Sequence, residues 1–164
     1  MNTKKMSLLA LFVALSIIGA MIKIPAVVGS VALDAFPALV VVVLLGTRSG
    51  MFVAAMGHLM SSLIVGMPLG PMHLFVAVEM ALIVWIFGVL YQSGKKWIAC
   101  IVFIILNGII APLPFALLLS LPFYLSLVPS VLVGSALNGV LALIFIQRFE
   151  PFLQKKLVGI LNES

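Results

Sequence analysis

Residues 24–50 read IPAVVGSVALDAFPALVVVVLLGTRSG, and the helix this stretch encodes is too short to cross a membrane. Asp34 is placed to cap a helix whose first turn holds Pro37, where a missing N–H is harmless. Gly46 closes the apolar run and Arg48 follows it. The spacing predicts a helix over residues 35–46, ~18 Å long against a hydrocarbon core of ~30 Å. Arg48 fixes one end at the membrane surface, so the other end stops inside. Residues 24–33 must then dip into the membrane as irregular chain. Such backbone is tolerated at that depth only where protein buries it or it lines a cavity.

Five further apolar segments surround this one, at 6–22, 50–65, 72–91, 97–111 and 130–146. Each is close to the roughly 17–25 residues that a membrane helix needs. No period-2 alternation runs through them, which excludes a barrel. Eight of the nine cations fall in alternate gaps: Lys4 and Lys5, then Arg48, then Lys95 and Lys96, then Arg148, Lys155 and Lys156. The intervening gaps hold only Lys23. Positive charge resists translocation, so the cation-rich gaps are expected to be cytoplasmic. The reading is an all-α membrane protein of six transmembrane helices, a single domain over residues 1–164, with a short second helix and outer loops covering a pocket. Both termini are expected on the cytoplasmic side of a prokaryotic inner membrane.

Hydrophobic residues make up 65% of the chain and charged ones 8%, a balance that excludes a soluble domain of this size. The net charge of +5 does not point to nucleic acid. The cations sit at span ends, where they set topology and contact anionic lipid. Lone Cys100 lies in an apolar run and reads as buried filler. Tyr91 and Trp97 bracket Lys95 and Lys96 as an interfacial anchor.

Pro112, Pro114, Pro122 and Pro129 predict a second irregular stretch on the outer face, between spans 5 and 6. Broken hydrophobic segments in both halves point to a transporter's substrate site. Residues 66–71, GMPLGP, are a tight turn that makes spans 3 and 4 a hairpin. Counting from that turn, His58 and Glu79 lie ~15 Å down opposite arms, near the bilayer midplane. A carboxylate there is costly unless paired, protonated or wet. Two readings follow: a His58–Glu79 bond that knits the hairpin, or a binding group facing a cavity. They are compatible.

Asn107, Ser135 and Asn138 line the same cavity or bond between helices. Phe36, Phe75, Phe115, Phe123 and Tyr124 offer apolar or stacking surface. Lys23 and Asp34 flank the outer loop and either pair or meet a ligand. No ligand set for a metal stands at helical spacing, and the chain has no phosphate loop with which to hydrolyse ATP. Ser61 and Ser62 are the only nucleophile candidates beside His58, and serines in membrane helices usually bond their own backbone.

The chain as a whole resembles the substrate-binding S components of energy-coupling factor (ECF) transporters. The match lies in Ala10-Leu-Phe-Val-Ala14, Asp34-Ala-Phe-Pro-Ala-Leu39, and Gly46, Gly50 and Gly57-His58. The resemblance implies uptake of a vitamin or its precursor, with a transmembrane coupling subunit and two ATPase subunits as partners and no cofactor. It implies that Ala10 and Ala14 contact the coupling subunit. The run through His58, Pro68-Leu-Gly-Pro-Met-His73 and Glu79 is most similar to the group assigned to alpha-ribazole, the benzimidazole riboside precursor of cobalamin. That makes Glu79, His58, Asn107, Asn138, Asp34, Phe36 and His73 the expected substrate-binding residues. Met1-Asn2-Thr3 departs from the Met-His start of the family's nickel and cobalt members. Pantothenate, pyridoxine-like and queuosine-like substrates remain alternatives. So do an intramembrane enzyme using His58 and Glu79, and a ligand-free assembly subunit.

Overall fold

A computed structural model describes residues 3–22, 24–25 and 30–162. Lys23, the middle of the loop at 26–29 and the first two residues lie outside them, as does the side chain of Lys156. Helices α1 (Thr3–Met21), α2 (Phe36–Leu45), α3 (Thr47–Ile64) and α4 (Met72–Gln92) are followed by α5 (Lys96–Ile105). A π-helical turn (Leu106–Ile110) continues α5 toward α6 (Pro114–Leu118), and α7 (Leu121–Asn162) ends the described chain. Taking α5, the π turn and α6 as one segment gives six, the all-α architecture expected from the sequence.

By length and apolarity four segments qualify as membrane spans: α1, α4, the α5–α6 segment and the first thirty residues of α7. Helix α3 falls short because Thr47, Arg48, His58, Ser61 and Ser62 interrupt it. Helix α2 is the short central one, ~15 Å by helix rise. Its residues 37–42 are all buried, and α1, α3, α4 and α7 pack around it. A helix that is apolar on every face is stable only in such a position. One residue, Gly46, joins α2 to α3 with φ of +90°, a conformation that a side chain would strain.

Two expectations need correction. Asp34 does not cap α2. The N-cap is Ala35, with no side-chain bond of its own. The Asp34 carboxylate instead meets the N–H groups of Asp34 and Ala35, too early in the chain to serve the first helical turn. The prolines after span 5 also leave little irregular chain. Pro114 opens α6 and Pro122 is the second residue of α7, first-turn positions where no N–H is missed. Ser120 caps α7 by accepting the Phe123 N–H at 3.2 Å. Of these four prolines only Pro129 lies in a helix interior.

The loop from α1 to α2 is less irregular than expected. Its described ends form a two-residue antiparallel ladder, Ile24–Pro25 with Ser30–Val31. Leu33 then donates its N–H to the Gly19 carbonyl at 3.0 Å. A Cβ on Gly19 would collide with the Leu33 carbonyl, so glycine is what allows the loop to return onto α1. At the other end of the bundle Gln92 donates to Thr47 Oγ1 at 3.0 Å, clasping the base of the α3–α4 hairpin. Lys96 Nζ lies 5.2 Å over the Tyr91 ring beside it.

Arg48, Lys95 and Lys96 thus share one end of the bundle, and the α3–α4 turn occupies the other. A reporter fused after Lys96 or Ser164 is expected to read cytoplasmic, and one inserted between Gly66 and Pro71 external. A cytoplasmic signal from that turn would reverse the orientation.

Candidate functional site

A cavity of about 470 Å³ opens between the α3–α4 hairpin, the π turn, α6 and α7. Its size is ordinary for a small-molecule site. His58, Glu79, Asn107, Asn138 and Asp34 are in its wall, with Val76, Met80, Pro112, Phe115 and Val131 supplying apolar surface.

His58 and Glu79 stand at matching levels of the two arms, six and seven residues from the hairpin ends of α3 and α4, ~10 Å by helix rise rather than the ~15 Å expected, and no bond joins them. His58 Nε2 lies 3.1 Å from His73 Nδ1, with the two rings 5.2 Å apart. His73, expected among the substrate-binding residues, is buried in the hairpin behind His58. The reason is azimuth. Helix α4 turns His73, Ala77, Met80, Val84, Phe87 and Tyr91 inward at intervals of three and four. Glu79 stands one residue off that stripe and faces the cavity instead.

The hydrogen bonds also fix the imidazole protons. Leu69 in the turn donates its N–H to His73 Nε2 at 3.3 Å. Neutral His73 therefore carries its proton on Nδ1 and donates it to His58 Nε2. Neutral His58 must then hold its own proton on Nδ1, as a donor. Glu79 supplies the complement, since its buried Oε2 has no hydrogen-bond partner.

The π turn positions Asn107, whose Nδ2 donates to Ser135 Oγ at 2.7 Å. Ser135 passes its own proton to the Val131 carbonyl at 2.7 Å. Tyr124 braces the same turn through the Ile109 carbonyl at 3.4 Å. A π turn in a membrane helix is a frequent mark of a functional site. The Asn107-Gly108 pair inside an apolar run was its only sequence signal.

Asn138 does most to hold the site together. Its Oδ1 accepts the Phe36 N–H at 2.7 Å, providing α2 with the cap that Asp34 does not. Its Nδ2 donates to the Ala32 and Gly134 carbonyls, each at 2.8 Å. Asn138→Ala would orphan the Phe36 N–H and the Ala32 carbonyl, at about 1–3 kcal/mol for each buried group. A clearly lower melting temperature is expected. An unchanged one would mean that the loop end is not held through Asn138.

Phe36 is not brought to the cavity. Its ring packs edge-on against Phe145 at 5.6 Å, because Asn138 holds only its backbone. Of the other aromatics, Phe75 is exposed and Phe123 backs Phe115 from 6.4 Å. Ser130, which the sequence reading passed over, joins the wall. Ser61 and Ser62 donate to the carbonyls of His58 and Leu59, and with His58 bonded to His73 no serine–imidazole pair is built. Ala10 and Ala14 are exposed on α1.

A polytopic bundle with a short buried helix and a few polar groups in a largely apolar cavity has the form of a small-molecule site in a membrane. The family described as ECF transporter, substrate-specific component, matches residues 4–160, and the chain belongs to it. It is a multi-pass membrane subunit of a transporter, associated with an energy-coupling module and a small-molecule substrate, and not an enzyme. No curated protein matches the chain.

Proposed function

We propose that the cavity is the substrate site of this component and that its cargo is a vitamin or vitamin precursor, with alpha-ribazole the first candidate. Glu79 carries the reading. A carboxylate at this depth costs at least ~2.5 kcal/mol on insertion scales, yet Glu79 Oε2 has no protein partner to offset that cost. A ligand hydroxyl or ring N–H meeting the Glu79 carboxyl where it lines the cavity would supply one. The alpha-ribazole assignment rests on the resemblance of the His58-to-Glu79 run. A riboside fits the wall, because its hydroxyls suit Glu79 and its ring nitrogen can accept from His58. In this reading the protein works in a prokaryotic cell membrane with both termini inside. Two ATPase subunits drive it through a transmembrane partner that meets α1 at Ala10 and Ala14.

Small molecules extracted from the purified protein and read by mass spectrometry test the proposal. A heterocyclic vitamin or precursor should co-purify, and adding alpha-ribazole should raise the melting temperature. A protein that releases nothing, and that no vitamin stabilises, would be an assembly subunit.

A further inference from the structure

The charge of the cavity wall limits what can enter. Two carboxylates, Asp34 and Glu79, line it, and no lysine or arginine does so among the described residues. Described cations sit at the opposite end of the bundle. Arg48, for instance, precedes His58 by ten residues of α3, ~15 Å by helix rise. We propose that the cavity selects uncharged or cationic nitrogen heterocycles that carry hydrogen-bond donors, and rejects molecules bearing a carboxylate or phosphate. The proposal rests on the cavity being the substrate site.

An anion entering from water would lose its hydration and find no counter-charge among the described residues of the wall, which is unfavourable in a low-dielectric site. An ionised Glu79 or Asp34 would add direct repulsion. A donor-bearing ligand meets the reverse situation. Glu79 Oε2 is an acceptor without a partner, and Asn107 has one amide hydrogen already engaged by Ser135. Asn138 has both its amide hydrogens and its oxygen engaged. His58 Nδ1–H and the second amide hydrogen of Asn107 are the donors that the bonding pattern leaves over among these residues, suited to a ring nitrogen. Phe115 and Met80 provide faces for an aromatic ring.

The test uses the purified full chain in lipid nanodiscs at neutral pH with four probes. These are benzimidazole riboside, the same riboside as its 5′-phosphate, pantothenate, and the cation thiamine. The riboside or thiamine should bind at least a hundredfold more tightly than the phosphate or pantothenate, and Glu79→Gln should narrow that gap. An anionic probe binding within tenfold of the best ligand would overturn the inference, and so would failure of both the riboside and thiamine to bind. Gly134→Trp, which fills the cavity from α7, separates this result from failure of the site itself. Val131→Phe serves the same purpose if the tryptophan prevents folding. Anion binding that is lost on filling refutes only the charge selection. Binding of any probe that survives filling places the site elsewhere.

Discussion

Glu79→Gln is expected to weaken substrate binding while leaving the protein as stable as before, or more so. The substitution keeps the volume and removes the charge. Hydrogen bonds to a charged group contribute about 1.5–3 kcal/mol each. At about 1.4 kcal/mol per decade, each bond lost means a tenfold to more than hundredfold loss of affinity. Stability should not fall, because Oε2 bonds nothing in the protein and a neutral side chain is easier to bury there. Affinity and melting temperature measured on one purified variant check both halves. Unchanged binding with a lower melting point would remove Glu79 from the site and make it a brace.

Replacing Ala10 or Ala14 by Trp should abolish uptake in cells while affinity in detergent stays within a few-fold. Leu9, Ser16 and Gly19 are the buried residues of α1, and fully buried Ser16 lies against Gly57 of α3. Ala10 and Ala14 are exposed, so an indole there leaves the bundle intact. It would instead hold off a second helix, whose close approach depends on small residues. Without that contact the subunit binds its ligand and cannot move it. Uptake that survives both substitutions would show that this part of α1 is not the docking surface.

The sequence announced what depends on local chemistry. Pro37 and Arg48 mark a helix too short to span, and the helix found is Phe36–Leu45. The glycines and prolines of residues 66–71 mark the hairpin, and counting from it put His58 and Glu79 at matching levels of its two arms, both of which line the cavity. What escaped depends on direction and on distant partners. Depth along a helix follows from rise, but which neighbour a side chain meets follows from azimuth. The inward stripe from His73 to Tyr91 was available as a three-four repeat and would have turned His73 into the hairpin. Nothing near Phe36 could reveal that its N–H is taken by a side chain 102 residues away. The helical turns at Pro114 and Pro122 escaped because proline marks both the end of one helix and the start of another.

That distant cap has a bearing on how the protein is made. The most buried helix is completed by a residue that the ribosome reaches 102 codons later. At about 5–20 residues per second, roughly five to twenty seconds pass before Asn138 exists. Through that interval the leading end of α2 has an unanswered donor in or near lipid. The nascent protein therefore stays unfinished at its centre until α7 is inserted. A chain truncated before α7 would leave the Phe36 N–H and the Ala32 carbonyl without the side chain that joins them.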